Sequence, residues 1–505
     1  MSLERLGVLP KGRLREALRP GVRAGEALVG SLAVLALVLV IHYEALLAIL
    51  RGQGTVAEAQ RLCGSLLVLG GLVAIGLVYL SRFQRRIVIT GRDLLVFASC
   101  CVGSVAVAKA FLAIDAHVGA EWRSLVFLTP VSAFAIFFAV VYGQRPAIAA
   151  CIMMALLVGL AVAVEPPAIQ RPPSAQALPV AVVLLCGSLT ATLASRRIRK
   201  RTKLLNVGLL VGLVHATLVL GFELVSGDLA SNGAHLRQAL LAFANGLGVG
   251  VLLTIGLPVI ELVFNVATEI RLLELSDQEQ PLLRSLVTHA PSTDNHSRRV
   301  ALLAEAAAEA IGANSLLALV GSYYHDIGKM AKPNYFIENQ VGNSSPHDRL
   351  RPSMSALIIG GHVKDGIELA RDAKLPRAII DLIAQHHGTS VIEFFYNRYL
   401  EEAGDKPDLD ASFFRYPGPK PATKEAAIVL IADSVEAASR TLSEPVPSRI
   451  ETLIHRITSA KLAGGQLDDS HLTLSELRRI EQSFFRVLCS MYHARIEYPS
   501  AATAP

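Results

Sequence analysis

Residues 237–284 read RQALLAFANGLGVGVLLTIGLPVIELVF followed by NVATEIRLLELSDQEQPLLR, and the change of character at residue 264 decides the fold. The first piece is an apolar run long enough to cross a bilayer, whose ~30 Å hydrocarbon core needs about 20 apolar residues in a helix. In the second piece charged residues return at helical spacing. The same division holds for the whole chain: long apolar runs fill residues 27–264, while charges and histidines gather after residue 270. Hydrophobic residues make up 52% of the 505 and charged residues only 18%, which excludes an ordinary soluble protein. The length leaves room for about two to four domains.

Working backward from residue 264, eight apolar stretches approach membrane-crossing length: 27–48, 61–80, 93–113, 123–142, 146–164, 178–195, 204–225 and 237–264. The first could be read as a signal peptide, but no clear small-x-small cleavage site follows it, so it is taken as a retained span. Loop charge gives an independent check. The tail 1–26 carries Arg5, Lys11, Arg13, Arg15, Arg19 and Arg23, and alternate loops are basic through Arg82, Arg85, Arg86 and Arg92, then Arg145, then Arg196 to Lys203. The loop 114–122 has no Lys or Arg, and 165–177 has only Arg171. By the positive-inside rule the basic loops face the cytoplasm, so eight spans put both termini there, together with everything after residue 265. Much of the excess behind the formal charge of +6 sits in these loops and does not argue for a nucleic-acid polymer as partner.

Within the spans Lys109 and His215 are the ionisable candidates for function, with snorkelling or helix packing as alternatives. Gly246, Gly248 and Gly250 suit close helix packing. Five of the six cysteines lie in apolar segments and Cys489 is isolated, so neither a disulfide framework nor a cysteine zinc site is expected.

From residue 270 the pattern is helical throughout. The segment 296–311 closes at Gly312, Ser315 can cap the next helix, which runs to Tyr324, Pro352 and Pro376 can open helices, and Gly388 stands past the end of one. A further apolar helix covers 424–441, and no alternating strand pattern is present. The fold class read here is all-α: a polytopic helical membrane domain followed by a helical soluble domain.

Six of the fourteen histidines fall between 296 and 387: His296, His325, His347, His362, His386 and His387. His325 is followed by Asp326 in the run Tyr324-His325-Asp326-Ile327-Gly328-Lys329, and Asp433 interrupts the apolar run Ile428-Val429-Leu430-Ile431-Ala432. A carboxylate in a buried helix is costly unless it is paired or binds metal. Taken alone, Asp433 could also face solvent or pair with Arg440, and His386-His387 could serve a helix dipole. Their joint occurrence along helix ends offers imidazole and carboxylate ligands for two ions.

These residues resemble the HD superfamily of metal-dependent phosphohydrolases. With the preceding spans, 61–499 resembles the seven-transmembrane HD family of cyclic-di-AMP phosphodiesterases, through the phrases 323–329, 335–340, 362–366, 385–390, 432–440 and the tail 491–499. The resemblance implies a first span at 27–48, a seven-span domain at 61–264, an HD domain at 265–499 and a disordered tail at 500–505, in a bacterial inner membrane. It implies His296, His325, Asp326, His362, His386, His387 and Asp433 as ligands of two divalent ions, Mn or Fe with Zn also suitable, Asp326 bridging them. Lys329 then contacts phosphate, unless it is a solvated loop lysine, and His347 has a structural or supporting role. The implied reaction is attack of a metal-bridging hydroxide on a cyclic dinucleotide, giving linear pApA from cyclic-di-AMP. Cyclic-di-GMP and a non-catalytic nucleotide receptor are the alternatives, and homo-oligomers are compatible with either. Two departures stand out: only 49–60 separates the first span from the rest, where the family carries an extracytoplasmic domain, and Asn295 replaces an expected histidine beside His296.

Overall fold

The computed structural model describes residues 20–52, 55–83, 91–117, 125–165, 173–196, 198–226, 234–340, 345–404 and 410–492. Most of the basic tail and the whole of the tail 493–505, including the 500–505 segment expected to be disordered, lie outside the described residues, as do Arg85 and Arg86. No strand occurs among the described residues; the only β-type pairing is an isolated bridge between Val391 and Arg415. The chain divides into two compact units at Phe264 and Asn265.

The first unit contains α1 (Pro20–Leu50), α2 (Val56–Phe83), α3 (Gly91–His117), α4 (Val131–Val141), α5 (Gln144–Ala163), α6 (Pro173–Ala194), α7 (Arg201–Ser226) and α8 (Ala234–Phe264). Helices are the expected solution for apolar spans, because in hydrocarbon every backbone polar group must be satisfied within the segment. Among the described residues, seven helices are long and apolar enough to cross a membrane. The fourth expected span differs. It is a 3-10 turn, Leu125–Leu128, followed by the 11-residue α4, which rises only about 16 Å. Pro130 lacks an N–H and interrupts the helix at its start. The carbonyls freed at this break are met by Asn245 on α8, whose amide donates to Phe127 O at 2.7 Å and Thr129 O at 3.0 Å.

The closest helix pair is α7 with α8. A Cβ placed on Gly246 would lie 2.1 Å from the Gly212 nitrogen and 2.5 Å from the Gly208 oxygen, and one on Gly250 would lie 3.2 Å from the Gly208 Cα. Small residues four apart on both helices thus bring the backbones together. Gly248, expected in the same role, has nothing within 4 Å of its Cβ position and takes no part in the seam. Lys109 is ion-paired with Glu165, and the buried His215 ring lies against Gly187 with no hydrogen-bond partner for either nitrogen among the described residues.

The second unit is a helical bundle: α9 (Glu269–Leu275), α10 (Pro281–His289), α11 (Pro291–Ile311), α12 (Ser315–Tyr324), α13 (Pro352–Asp372), α14 (Arg377–Gln385), α15 (Glu393–Ala403), α16 (Lys424–Ser439), α17 (Pro447–Ala463) and α18 (Leu474–Met491). Among the described residues, four 3-10 turns lie between α12 and α13. Gly312 ends α11 with φ 74°, a left-handed conformation that glycine adopts freely. The cap of α12 is Asn314, whose side chain accepts from Leu317 N, and not Ser315, which is the first helical residue. Likewise Pro376 precedes α14 as its cap, whereas Pro352 opens α13 from inside. The core is organised around α16, where Ala427 to Ala432 are fully buried. A helix apolar on every face is one that neighbours surround, and here it leaves Asp433 little path to water.

Candidate metal centre

Five chain segments deliver the polar residues at the bottom of this bundle. His296 lies on α11, His325 and Asp326 follow the last residue of α12, and His362 sits within α13. His386 and His387 follow α14, where Gly388 turns the chain with φ 56°, and Asp433 sits within α16. The approach of the α12 loop to α13 depends on Gly328, where a Cβ would lie 1.9 Å from the His362 oxygen. Any side chain there would push His325 and Asp326 away from His362.

All seven residues converge in two adjoining clusters. Ligand atoms of His296, His325 and Asp433 lie within 4.8 Å of one another, and so do those of Asp326, His362, His386 and His387. Asp326 joins the clusters through its two oxygens. Oδ2 is 3.2 Å from His325 Nε2 and 3.6 Å from His296 Nε2, whereas Oδ1 is 3.3 Å from His362 Nε2 and 3.6 Å from His386 Nε2. Asp433 Oδ1 is 3.0 Å from His296 Nε2, and its Oδ2 is 3.3 Å from His387 Nδ1. Asn295 is exposed, so it is His296 and not its neighbour that faces the centre.

The rings are oriented by local backbone. Nδ1 of His325, His362 and His386 lies 2.6, 2.6 and 2.7 Å from the carbonyls of Ser322, Ile359 and Ile383, each three residues earlier. A carbonyl oxygen can only accept, so these nitrogens carry a proton, and each Nε2 is the atom aimed at the centre, where the neutral ring presents a lone pair. His296 is held differently: its Nδ1 meets Glu436 Oε2 at 2.5 Å, the carboxylate being 1% exposed.

Electrostatics follow from this packing. Burial pushes His386 down to about 4 and holds His387 well below the usual range, so both are neutral imidazoles. Burial also acts to lower His296, but Asp433 and Glu436 outweigh it and raise the ring to about 9. For Asp326 burial favours the acid, yet its surroundings, with the Lys329 ammonium 2.8 Å away, hold it far below the ordinary carboxylate range, and the hydrogen bond from His296 does the same for Asp433 against burial. Lys329 lies 2.8 Å from both Asp326 Oδ2 and Glu338 Oε1, with its side chain 13% exposed. It is therefore not a solvated loop lysine, and its two carboxylate neighbours outweigh burial to keep it charged.

Asp326 Oδ1 and His325 Nε2 are buried with no hydrogen-bond partner among the described residues, and Asp326 Oδ2 has the Lys329 ammonium at 2.8 Å. Each such orphan costs about 1–3 kcal/mol, and a cation between the clusters would satisfy both. Imidazole with carboxylate is also a donor set for divalent transition metals. The residues present therefore fit metal binding.

His347 does not join either cluster; its Nε2 lies 2.8 Å from Tyr335 O. Three residues at the centre are not evident from sequence reasoning. Glu436 has a signal in hindsight, standing one helical turn beyond Asp433 on the same face. Glu338 and Tyr416, whose ring stacks on His387 at 4.0 Å, lie in irregular segments with no periodicity to mark them.

A multi-pass membrane unit followed by an all-α domain holding a paired His/Asp metal centre defines the class. Comparison with known proteins agrees: a family model described as 7TM receptor with intracellular HD hydrolase matches residues 59–268, and the HD domain model matches 293–438. These matches support the seven-transmembrane HD family for this chain. It is 35% identical over 438 residues to Cyclic-di-AMP phosphodiesterase PgpH of Bacillus subtilis, covering 87% of this chain and 60% of that protein. It is 39% identical over 320 residues to PgpH of Listeria monocytogenes, covering 63% and 44%. The chain thus spans only about half the length of these relatives. The solved HD domain of L. monocytogenes PgpH in complex with Cyclic-di-AMP is 45% identical, covers 43% of this chain and all of that one, and has a TM-score of 0.41.

Proposed function

We propose that this protein is a membrane-anchored, two-metal phosphodiesterase that hydrolyses a cyclic dinucleotide, cyclic-di-AMP to linear pApA. The observation carrying the proposal is the division of Asp326, one oxygen toward each histidine cluster, with Oδ1 left without a hydrogen-bond partner among the described residues and Oδ2 met by the Lys329 ammonium. The names of the two PgpH relatives supply the substrate. We assign His296, His325 and Asp433 to one ion, His362, His386 and His387 to the other, and Asp326 to both. The ions are Mn or Fe, which suit these ligands.

Bound there, two divalent cations supply Lewis acidity toward an attacking water and neutralise charge on the phosphoryl oxygens. The residues do the rest. The backbone carbonyls behind His325, His362 and His386 orient each ring with Nε2 toward the ions it would hold. Lys329, held as an ammonium by Glu338, presents its charge beside Asp326, where a nonbridging phosphate oxygen comes to lie. A lysine kept charged in this way anchors phosphate and does not transfer a proton. Two aspartates against two divalent ions leave the centre net positive, which favours an anionic substrate.

The orientation we infer puts the HD domain and both termini in the cytoplasm of a bacterial cell, by the basic loops. An even number of crossings is supported by the family model: its seven-helix segment, 59–268, contains seven helices only if the broken α4 is counted, and α1 adds an eighth.

The test is hydrolysis by the full chain in detergent, loaded with Mn or Fe, of cyclic-di-AMP and cyclic-di-GMP in parallel. Production of pApA that disappears in Asp326→Ala is expected. Full metal loading with neither dinucleotide cleaved would overturn the assignment.

A further inference from the structure

Lys461 stands out among the cations near the metal centre. It lies in the last turn of α17, beyond the residues matched by the HD domain model. Its chain position is pinned to the loop that follows the histidine pair. Gln466 donates its backbone N–H to the Lys461 carbonyl at 3.0 Å, and its buried side-chain oxygen accepts from Thr389 N at 2.8 Å. The Lys461 ammonium donates to Ser390 Oγ at 3.1 Å. Ser390 is itself tied to the centre, because its N–H donates to His387 O and its carbonyl accepts from the N–H of Tyr416, the residue stacked on His387.

Lys329 has two carboxylate partners, but Lys461 has none within ion-pair distance among the described residues. A half-buried ammonium with only a neutral hydroxyl for company is under-compensated. Burial indeed draws it below the ordinary lysine range, with Asp433 and Glu393 only partly opposing. Such a group is ready for an anion that arrives with the ligand. A cyclic dinucleotide brings two phosphates on one ring. The first is taken up by the metals and Lys329, and the second must rest on another part of the wall.

We propose that Lys461 is a substrate-specificity residue that binds the second phosphate of the cyclic dinucleotide, the one not being cleaved. This rests on the function proposed above. It predicts that the region after residue 438 is part of the substrate site and not only a cover for the core.

The test uses the full metal-loaded chain in detergent and two substrates, cyclic-di-AMP and the single-phosphate diester bis(p-nitrophenyl) phosphate. In Lys461→Met the KM for the cyclic dinucleotide should rise about 10- to 100-fold, the size of a lost charge-assisted contact. The rise for the single-phosphate diester should be at least tenfold smaller, and Lys461→Arg should restore most of the difference. Equal losses on both substrates, or no loss on either, overturn the role of Lys461 while leaving the phosphodiesterase intact. If the wild-type chain cleaves the small diester but no cyclic dinucleotide, the substrate assignment itself falls, and this inference falls with it.

Discussion

Glu436→Gln is the substitution that most directly tests whether the histidine orientation seen here matters. Glu436 is 1% exposed, and its Oε2 lies 2.5 Å from His296 Nδ1. It fixes the ring so that Nε2 points to Asp433 and Asp326, and its charge makes that nitrogen a better donor. Loss of such a partner typically weakens metal affinity by about 10- to 100-fold. The structure separates two contributions within this range. Glutamine can still accept the Nδ1 proton through its amide oxygen, so orientation survives and only basicity is lost, which puts Gln near tenfold. Alanine removes both and should approach a hundredfold. Arg440, which lies 3.3 Å from Oε2, has a side chain 36% exposed and can solvate when its partner is removed, so it adds little. The assay is metal titration of the chelator-stripped chain against a competing chelator. The weaker of two binding steps is assigned to the cluster with His296 by its response to the substitution, and circular dichroism checks the fold. Unchanged affinities in both variants would refute the orienting role, and so would an equal loss at both ions.

Other expectations follow from single features. In the metal-free chain His386 titrates at about 4 against 6.5 when unfolded, so the unfolded state takes up the proton first and stability falls as pH drops from 6.5 toward 4. The loss is about 3 kcal/mol, and His387, also depressed, adds to it. His296, raised to about 9, acts on the other side: its stabilisation is complete below 6.5 and is lost as pH rises through 9. Denaturant titrations of the chelator-stripped chain should therefore show greatest stability near pH 6.5, and a rise in stability on acidification would contradict the buried neutral pair. Asp326→Asn should reduce metal content at both ions together, measured by elemental analysis, whereas loss of a single ion would refute its shared position. Gly246→Leu should destabilise the first unit by at least about 1–3 kcal/mol through overpacking, while Gly248→Leu, open within 4 Å, should leave thermal stability in detergent near wild type.

Much of the architecture was legible because the forces behind it are local. An apolar run of about 20 residues has few options in a bilayer, and Gly312 and Pro352 act on the turn they occupy. The fourth span was less legible for the opposite reason. Pro130 is visible in the sequence, but the break it makes is tolerable because Asn245, more than a hundred residues away, satisfies the freed carbonyls. Small errors at Ser315 and Pro376 have a similar origin: each expected residue has a neighbour that can play the same role, and only backbone geometry selects between them. Gly248 shares the α8 seam's composition but stands two residues from Gly246 and Gly250, on another face of the helix.

The metal centre divides along the same line. Asp433 was legible because a charge interrupts an apolar run, and the histidines because their order along the chain resembles a known pattern. Glu338, Tyr416 and Lys461 carry no such mark, Glu436 only its place one turn beyond Asp433, and Glu436, Tyr416 and Lys461 are each defined by a contact to a residue tens of positions away. Asn295 shows how geometry decides what spacing could not. Both it and His296 stand at plausible distances from His325 in sequence, but on α11 adjacent residues point about 100° apart. Only one of them can face α16, and with Asn295 exposed and His296 within 3.0 Å of Asp433, the departure from the family pattern falls on a position that never enters the site.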